Sequence, residues 1–245
     1  MSIRQQAVFF ADLGAVQPTP TKIMLILRRL VDEGLELIPS TFQEFTPPDP
    51  APQQRLRLLS PSEDLDIAIG RGRLDIVRQY PVSEVAPDVL AFSRTVRTCM
   101  SAVLGGDPIR AARLAYVVQT LNIGLSNEAL VSAHQKLFCP PPPFDGGNLK
   151  EWTMRTNLPQ EVTLSGQTLS INTILKVERT QGKAKQGDGG WVNFDGIISE
   201  FDLNTTQERS DSRFSADDFE AYVDAMLQKG SELQSALSTH LGWTK

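Results

Sequence analysis

FSADDFEAYVDAMLQKGSELQSALSTHL, residues 214–241, reads as one long amphipathic helix, and the fold is decided by what must cover it. Ser215 can accept from the free backbone N–H groups of the first turn, and Asp217 and Asp218 place negative charge at the positive end of the dipole. Phe214 can staple onto Phe219. Phe219, Tyr222, Val223, Met226, Leu227, Leu233, Leu237 and Leu241 return every three or four positions, so one stripe needs a partner surface. A β-sheet made by the preceding strands is the surface the sequence offers.

Working outward from that helix, Thr168 to Arg179 and Trp191 to Leu203 form the clearest strand pair. Leu169, Ile171, Leu175 and Val177 alternate with Ser170, Asn172, Lys176 and Glu178, and the returning strand carries Trp191, Val192, Phe194, Ile197, Ile198, Phe201 and Leu203. The connection Gln181 to Gly190 (QGKAKQGDGG) reads as a long glycine-rich hairpin tip. It has the composition of a phosphate loop but lies between strands instead of before a helix. Upstream, Glu151 to Thr156 reads as a short strand. Ser126 or Asn127 can cap a helix through Leu137, and Pro140 to Pro143 stop it. Ile109 to Thr120 reads as a strand, although its alanines and arginines also permit a helix.

The first part of the chain has a matching succession. Ala7 to Leu13 is a strand. A helix opens at Pro18-Thr19-Pro20-Thr21, carries Ile23, Ile26, Leu27, Leu30 and Val31 on its inner stripe, and stops at Gly34. Leu35 to Phe45 is extended, with Pro39 marking an edge or a bend, and Thr46 to Gln54 is a proline-stiffened loop. Arg55 to Leu59 leads into a hairpin, Asp64 to Ile69 and Arg73 to Val77, for which Gly70-Arg71-Gly72 is expected to supply a positive-φ turn. Its carboxylate and arginine face is expected to pair across strands. A helix after Pro87 turns Val89, Phe92, Val96, Cys99, Met100 and Val103 inward and ends at Gly105-Gly106. The expected fold is therefore α+β. Two β-α-β-β-β-α halves, residues 1–105 and 106–245, each form an antiparallel sheet with helices packed on one face, and a long helix closes the second. The two sheets can join edge to edge.

Composition narrows the function classes. The 245 residues are 40% hydrophobic and 22% charged, as in an ordinary soluble domain. No run approaches the roughly 20 apolar residues of a membrane helix, and no leader pattern opens the chain, so no membrane association and a cytoplasmic location are expected. A net charge of −5 argues against a protein that coats nucleic acid. Cys99 and Cys139 have neither a disulfide framework nor metal-ligand spacing, and Cys99, on an inner stripe, reads as an inert buried thiol.

Constellations that carry chemistry are thin. His134 and His240 each stand alone, so neither a zinc site nor any other metal or cofactor is expected. His134 reads as a surface or interface residue. Glu200 and Asp202 share one strand face while Asp195 falls on the other, which does not make a triad without a bulge. Asp145-Gly146-Gly147 and Glu161 lack the downstream Glu-x-Lys of a nuclease core. No catalytic residue is assigned.

The helix near residue 20, the Arg-Leu-rich strand leading into a hairpin, and Glu200-Phe201-Asp202-Leu203 before a long terminal helix resemble a sporadically distributed family of prokaryotic and phage proteins of about this length. Its members have no assigned activity. The resemblance implies an accessory protein from mobile or defence-associated gene neighbourhoods and carries over no functional residue.

The leading expectation is a non-catalytic interaction protein, such as an antitoxin, an immunity factor or a subunit of a defence assembly, that binds a protein partner. Homo-oligomers remain open. The terminal helix would run roughly 40 Å at 1.5 Å per residue, further than a small sheet covers, so Leu237, His240, Leu241 and Trp243 are expected to project and meet that partner. An alternative is a nucleic-acid binder presenting Arg55, Arg57, Arg71, Arg73 and Arg78 from a sheet surface. A third reading is a divergent metal-dependent nuclease using Glu200 or Asp202.

Overall fold

The computed structural model describes residues 2–45, 51–62, 64–81, 89–138, 149–164, 166–185, 190–207 and 211–243. The strands are β1 (Ser2–Ala11), β2 (Ile38–Glu44), β3 (Gln53–Leu59), β4 (Leu65–Ile69), β5 (Leu74–Gln79), β6 (Ala111–Ile123), β7 (Trp152–Leu164), β8 (Gln167–Lys185) and β9 (Trp191–Thr205). The helices are α1 (Pro20–Asp32), α2 (Val89–Leu104), α3 (Asn127–Leu137) and α4 (Ala216–Leu241). All nine strands join one antiparallel sheet in the order β2-β3-β4-β5-β1-β6-β9-β8-β7. None of the described helices is long and apolar enough to cross a membrane.

The pairing of β1 with β6 holds the sheet together across its middle, with Ala7 opposite Tyr116 and Phe9 opposite Leu114. Between α1 and α2 the described residues form four strands, β2 to β5, where the β-α-β-β-β-α pattern has three. Pro39 sits in β2, the sheet edge, where its missing N–H costs no ladder bond.

Period-two alternation assigns one face to the helices. Ala7 and Phe9 of β1, Leu74 and Ile76 of β5, Ile67 and Ile69 of β4, and Tyr116 and Val118 of β6 are buried on that side. Phe219 of α4 meets Phe9 with centroids 5.3 Å apart, and Phe92 of α2 meets Tyr116 at 6.2 Å. Each such ring contributes roughly 1.5–3 kcal/mol by leaving water. Tyr222 is fully buried and donates to the Leu203 carbonyl at 2.8 Å, which satisfies its hydroxyl. Gly230 lets α4 approach β6, because a Cβ there would lie 3.3 Å from Val118 Cγ1 and 3.4 Å from Tyr116 Cε1.

Local sequence signals explain the helix ends. Thr19 caps α1 through Lys22 N, and Ser126 caps α3 through Ala129 N. Ser215 and Asp218 form a reciprocal capping box on α4, which closes at Gly242 in the left-handed region.

Several expectations need correction. Val31 is 54% exposed, while Ile26 and Leu30 form the buried stripe of α1. Neither Gly70 nor Gly72 has positive φ. Gly70 leaves room for the Glu44 carboxylate, which a Cβ there would meet at 2.8 Å and push aside. β7 extends to Leu164 instead of ending near Thr156, and it tolerates Pro159 because it is the other edge. Much of the expected loop 181–190 is strand, with Lys185 opposite Trp191.

Candidate functional site

The helices contact one face of the sheet, so the other face is the broadest surface on which residues from many strands converge. Its centre is an apolar strip along the β1–β6 pair. Val8 and Ala115 are each 4% exposed although no described helix lies over them, and the Arg113 guanidinium sits 4.9 Å from the centre of the Phe10 ring.

Two polar networks flank the strip. On the β5 side, Asp75 accepts from Gln6 Nε2 at 2.8 Å and pairs with Arg73 Nε at 2.8 Å, and Gln6 in turn accepts from Arg4 Nη2 at 2.7 Å. On the β9 side a ladder runs Asn157 to Asn172 to Asn204 to Asp202, with distances of 3.3, 3.3 and 2.9 Å. Burial pushes both Asp75 and Asp202 above the ordinary carboxylate range. Arg73 opposes this at Asp75, and the Asn204 amide opposes it at Asp202. Gln119 donates to Glu200 beside them. Sequence reasoning passed over Gln6, Asn172 and Asn204. The available signal was the polar phase of their strands' alternation, which places Asn172 directly opposite Asn204 once the β8–β9 register is known.

The arginines proposed for nucleic acid do not form one basic surface. Arg57 grips Asp66 through two bonds of 2.9 and 2.7 Å, and Arg73 pairs with Asp75. Arg78 faces the helix side, where it donates to Thr95 and lies 3.7 Å from Asp64. Arg71 is exposed in the β4–β5 turn. Arg55 is 1% exposed and bonded to Glu44. It lines a cleft of ≈ 410 Å³ with Asp12, Gly14, Ala15, Gln17, Gln53 and Arg71.

The expected projecting surface at the end of α4 is not formed. Leu237 and Leu241 are buried at 9% and 4% exposure, Trp243 packs partly against the core, and only His240 of the four is exposed. α4 packs over β6, β9 and β7 and against α2 and α3, which together cover its length. Lys136 of α3 also donates to the His240 carbonyl, tying the end down. His134 is likewise a core residue, 5% exposed and stacked on Phe138 at 4.9 Å, with Trp152 at 5.8 Å. Desolvation lowers its pKa. Cys99 is buried and its thiol is pushed up to about 12 by desolvation, which fits an inert side chain.

Glu200 and Asp202 share the open face of β9. Asp195 lies on the opposite face, held by Arg179 through bonds of 3.0 and 2.9 Å, and its pKa is lowered chiefly by that hydrogen bonding. Among the described residues, no three His, Cys, Asp or Glu side chains are grouped to hold a metal ion. Asp145-Gly146-Gly147, Cys139 and Pro140 to Pro143 lie outside the described residues.

Beyond the ends of β6 and β7, the strands β8 and β9 continue as a two-stranded arm, in which Gln181 to Lys185 pair only with Trp191 to Asp195. Lys183 is exposed on this arm and Trp191 is 69% exposed.

No family model and no curated protein matches the chain. Among solved structures, a rolling circle replication initiator protein from Geobacillus stearothermophilus is similar at 10% identity and a TM-score of 0.31, over 94% of this chain and 78% of that one. A likeness at that level carries no functional argument.

Proposed function

We propose that the protein is a non-catalytic interaction subunit, of the antitoxin, immunity or defence-assembly kind, and that the open face of its sheet binds a protein partner. One observation supports this above others: the face combines a central apolar strip with basic and acidic side chains that pair with one another. Arg57 is paired with Asp66 and Arg73 with Asp75, so these two arginines are not free for phosphates. A surface that mixes an apolar centre with a charge-balanced surround suits a protein interface. The nucleic-acid reading through Arg55, Arg57, Arg71, Arg73 and Arg78 has weaker support, because carboxylates engage all of them except the exposed Arg71.

The test is affinity purification of the tagged chain from its own host at low and moderate salt, beside the variants Val117→Arg and His240→Ala. A stoichiometric protein lost with Val117→Arg and kept with His240→Ala supports the reading. Loss with neither variant overturns it, as does steeply salt-dependent DNA binding without any protein partner.

We also read the chain as two related units, 1–105 and 106–245, meeting at β1 and β6. The support is the central order β5-β1-β6-β9 and the reciprocal ring pairs Phe9 with Phe219 and Tyr116 with Phe92. In this reading β2 is an added edge strand of the first unit. Separately expressed fragments that fail to reassociate would count against it.

A further inference from the structure

The cleft beside Arg55 contains a buried cation whose hydrogen bonding is incomplete. Its guanidinium Nε donates to Glu44 Oε2 at 2.8 Å and its Nη2 donates to Gln53 Oε1 at 2.5 Å. The third nitrogen, Nη1, is buried without a partner. An arginine carries five N–H donors in a fixed plane, and leaving a buried charged donor unmet is costly.

The surroundings are held in place. Glu44 Oε2 also accepts from the Arg71 amide at 2.8 Å, and Gly70 leaves the space that Glu44 occupies. The turn after β1 is pinned to the β4–β5 turn by Leu13 N donating to Arg71 O at 2.7 Å. Within that turn, Gly14 N donates to Asp12 Oδ1 at 2.9 Å and Gln17 Nε2 donates to Gly14 O at 2.7 Å. The volume of ≈ 410 Å³ is that of a small-molecule site.

Charge selects the ligand. Glu44 neutralises Arg55, and Arg71 and Asp12 on the rim oppose each other, so a doubly charged anion would meet two carboxylates. A singly charged planar group with two acceptor oxygens fits better, because it matches arginine forks directly. We propose that this cleft binds a carboxylate through the Arg71 side chain, with Arg55 Nη1, closed off in the free protein, uncovered by a small shift of the guanidinium to become the second donor. The assignment does not depend on the protein-partner reading.

The experiment is titration of the full chain with sodium acetate, inorganic phosphate and sodium chloride at matched ionic strength, following the side-chain nitrogen resonances of Arg55 by NMR. Acetate is expected to shift them saturably in the millimolar range, phosphate more weakly, and chloride not at all. Arg71→Ala keeps the buried pair and should weaken acetate binding about tenfold, equivalent to about 1.4 kcal/mol. A short glycine peptide with a free C-terminus, compared with its amide, distinguishes the sources. Tighter binding of the free-acid peptide than of acetate assigns a polypeptide terminus, and no gain assigns a free acid. The proposal is overturned if acetate and chloride act alike, if the amide binds as well as the acid, or if Arg71→Ala leaves acetate binding unchanged.

Discussion

Gly196 is a position where adding one methyl group should be costly. It lies at the root of the two-stranded arm, paired with Ile123 of β6 on one side and Thr180 of β8 on the other. A Cβ there would sit 2.4 Å from the Asn122 carbonyl oxygen and 3.3 Å from both Asn122 C and Ile123 Cγ2. Carbon–oxygen contacts between strands settle at about 3.3–3.6 Å, so β6 and β9 must separate locally by roughly 1 Å. The obstruction is backbone, which no rotamer change relieves. Overpacking costs about 1–3 kcal/mol, and the unfolded chain's lost freedom returns about 0.4–1 kcal/mol. Gly196→Ala should therefore destabilise by about 1–2 kcal/mol. For a chain of this size that lowers Tm by about 2–8 °C. Gly182→Ala on the same arm is the control. Its Cβ would meet only the Phe194 ring, at 3.3 and 3.4 Å, and that ring is partly exposed and can swing aside. Its effect should stay within about 0.5 kcal/mol. Urea unfolding of both variants, with unchanged m, measures the difference. Equal midpoints for the two would refute the close β6–β9 approach and with it the account of the arm's root.

Three further outcomes follow from named contacts. Ser215→Ala removes the acceptor that Asp218 N meets at 3.1 Å and should cost about 1 kcal/mol in thermal unfolding; no change would mean that the capping box does not hold the start of α4. Desolvation depresses the folded pKa of His134 below its ordinary 6.5, so its neutral form is favoured. The stability this provides is present above pH 6.5 and lost as pH falls through the folded value. His134→Phe should abolish that loss in chemical denaturation series between pH 8 and pH 5, and a retained loss would assign it elsewhere. Asp202 has the opposite sign. Its folded pKa is raised, so its contribution is greatest below the ordinary 3.8 and is lost as pH rises through the folded value. Asp202→Asn keeps the acceptor for Asn204 Nδ2 and should raise the urea midpoint at pH 7 more than at pH 3; a lower midpoint at pH 7 would show that Arg113 outweighs burial.

The legible parts of the fold were those where local pattern and tertiary demand agree. Ser126, Thr19 and Ser215 cap the helices they were expected to cap, and Phe92, Val96, Met100 and Val103 are buried as their spacing requires. What failed depended on partners outside the segment that was read. Gln181 to Lys185 carries glycine and lysine and has the composition of a loop, yet it extends because Trp191 to Asp195 pairs with it. Pro159 looks like the end of a strand unless β7 is known to be an edge. Leu237 and Leu241 are buried with the core at the end of α4 that α3 packs against, a cover that their own helix does not announce. The burial of Arg55 was not readable from its strand either, since it depends on Glu44, Gln53 and the space above Gly70. Of the candidate site, the carboxylate and arginine alternation and its pairing were legible, whereas which partner each arginine takes, Asp66 across strands for Arg57 and Asp75 along the same segment for Arg73, was not.

That pairing also explains why Val8 and Ala115 are as buried as core residues on a face without a helix. Arg113 has its guanidinium over Phe10 with Nε buried and unpartnered, and Arg4, Gln6 and Asp75 form a hydrogen-bonded chain beside the strip. Side chains of this kind give a weaker cover than a helix, because each is held by one or two polar contacts and can rotate away without disturbing the ladder. A partner that supplies its own acceptors could therefore lift them and reach Val8, Phe10 and Val117 at little cost to the fold. A phosphate backbone would have to break Arg57–Asp66 and Arg73–Asp75 one pair at a time and leave each carboxylate behind as a repulsive charge. Under the proposed reading, the Arg57–Asp66 and Arg73–Asp75 pairs therefore weigh against a phosphate backbone and in favour of a protein surface.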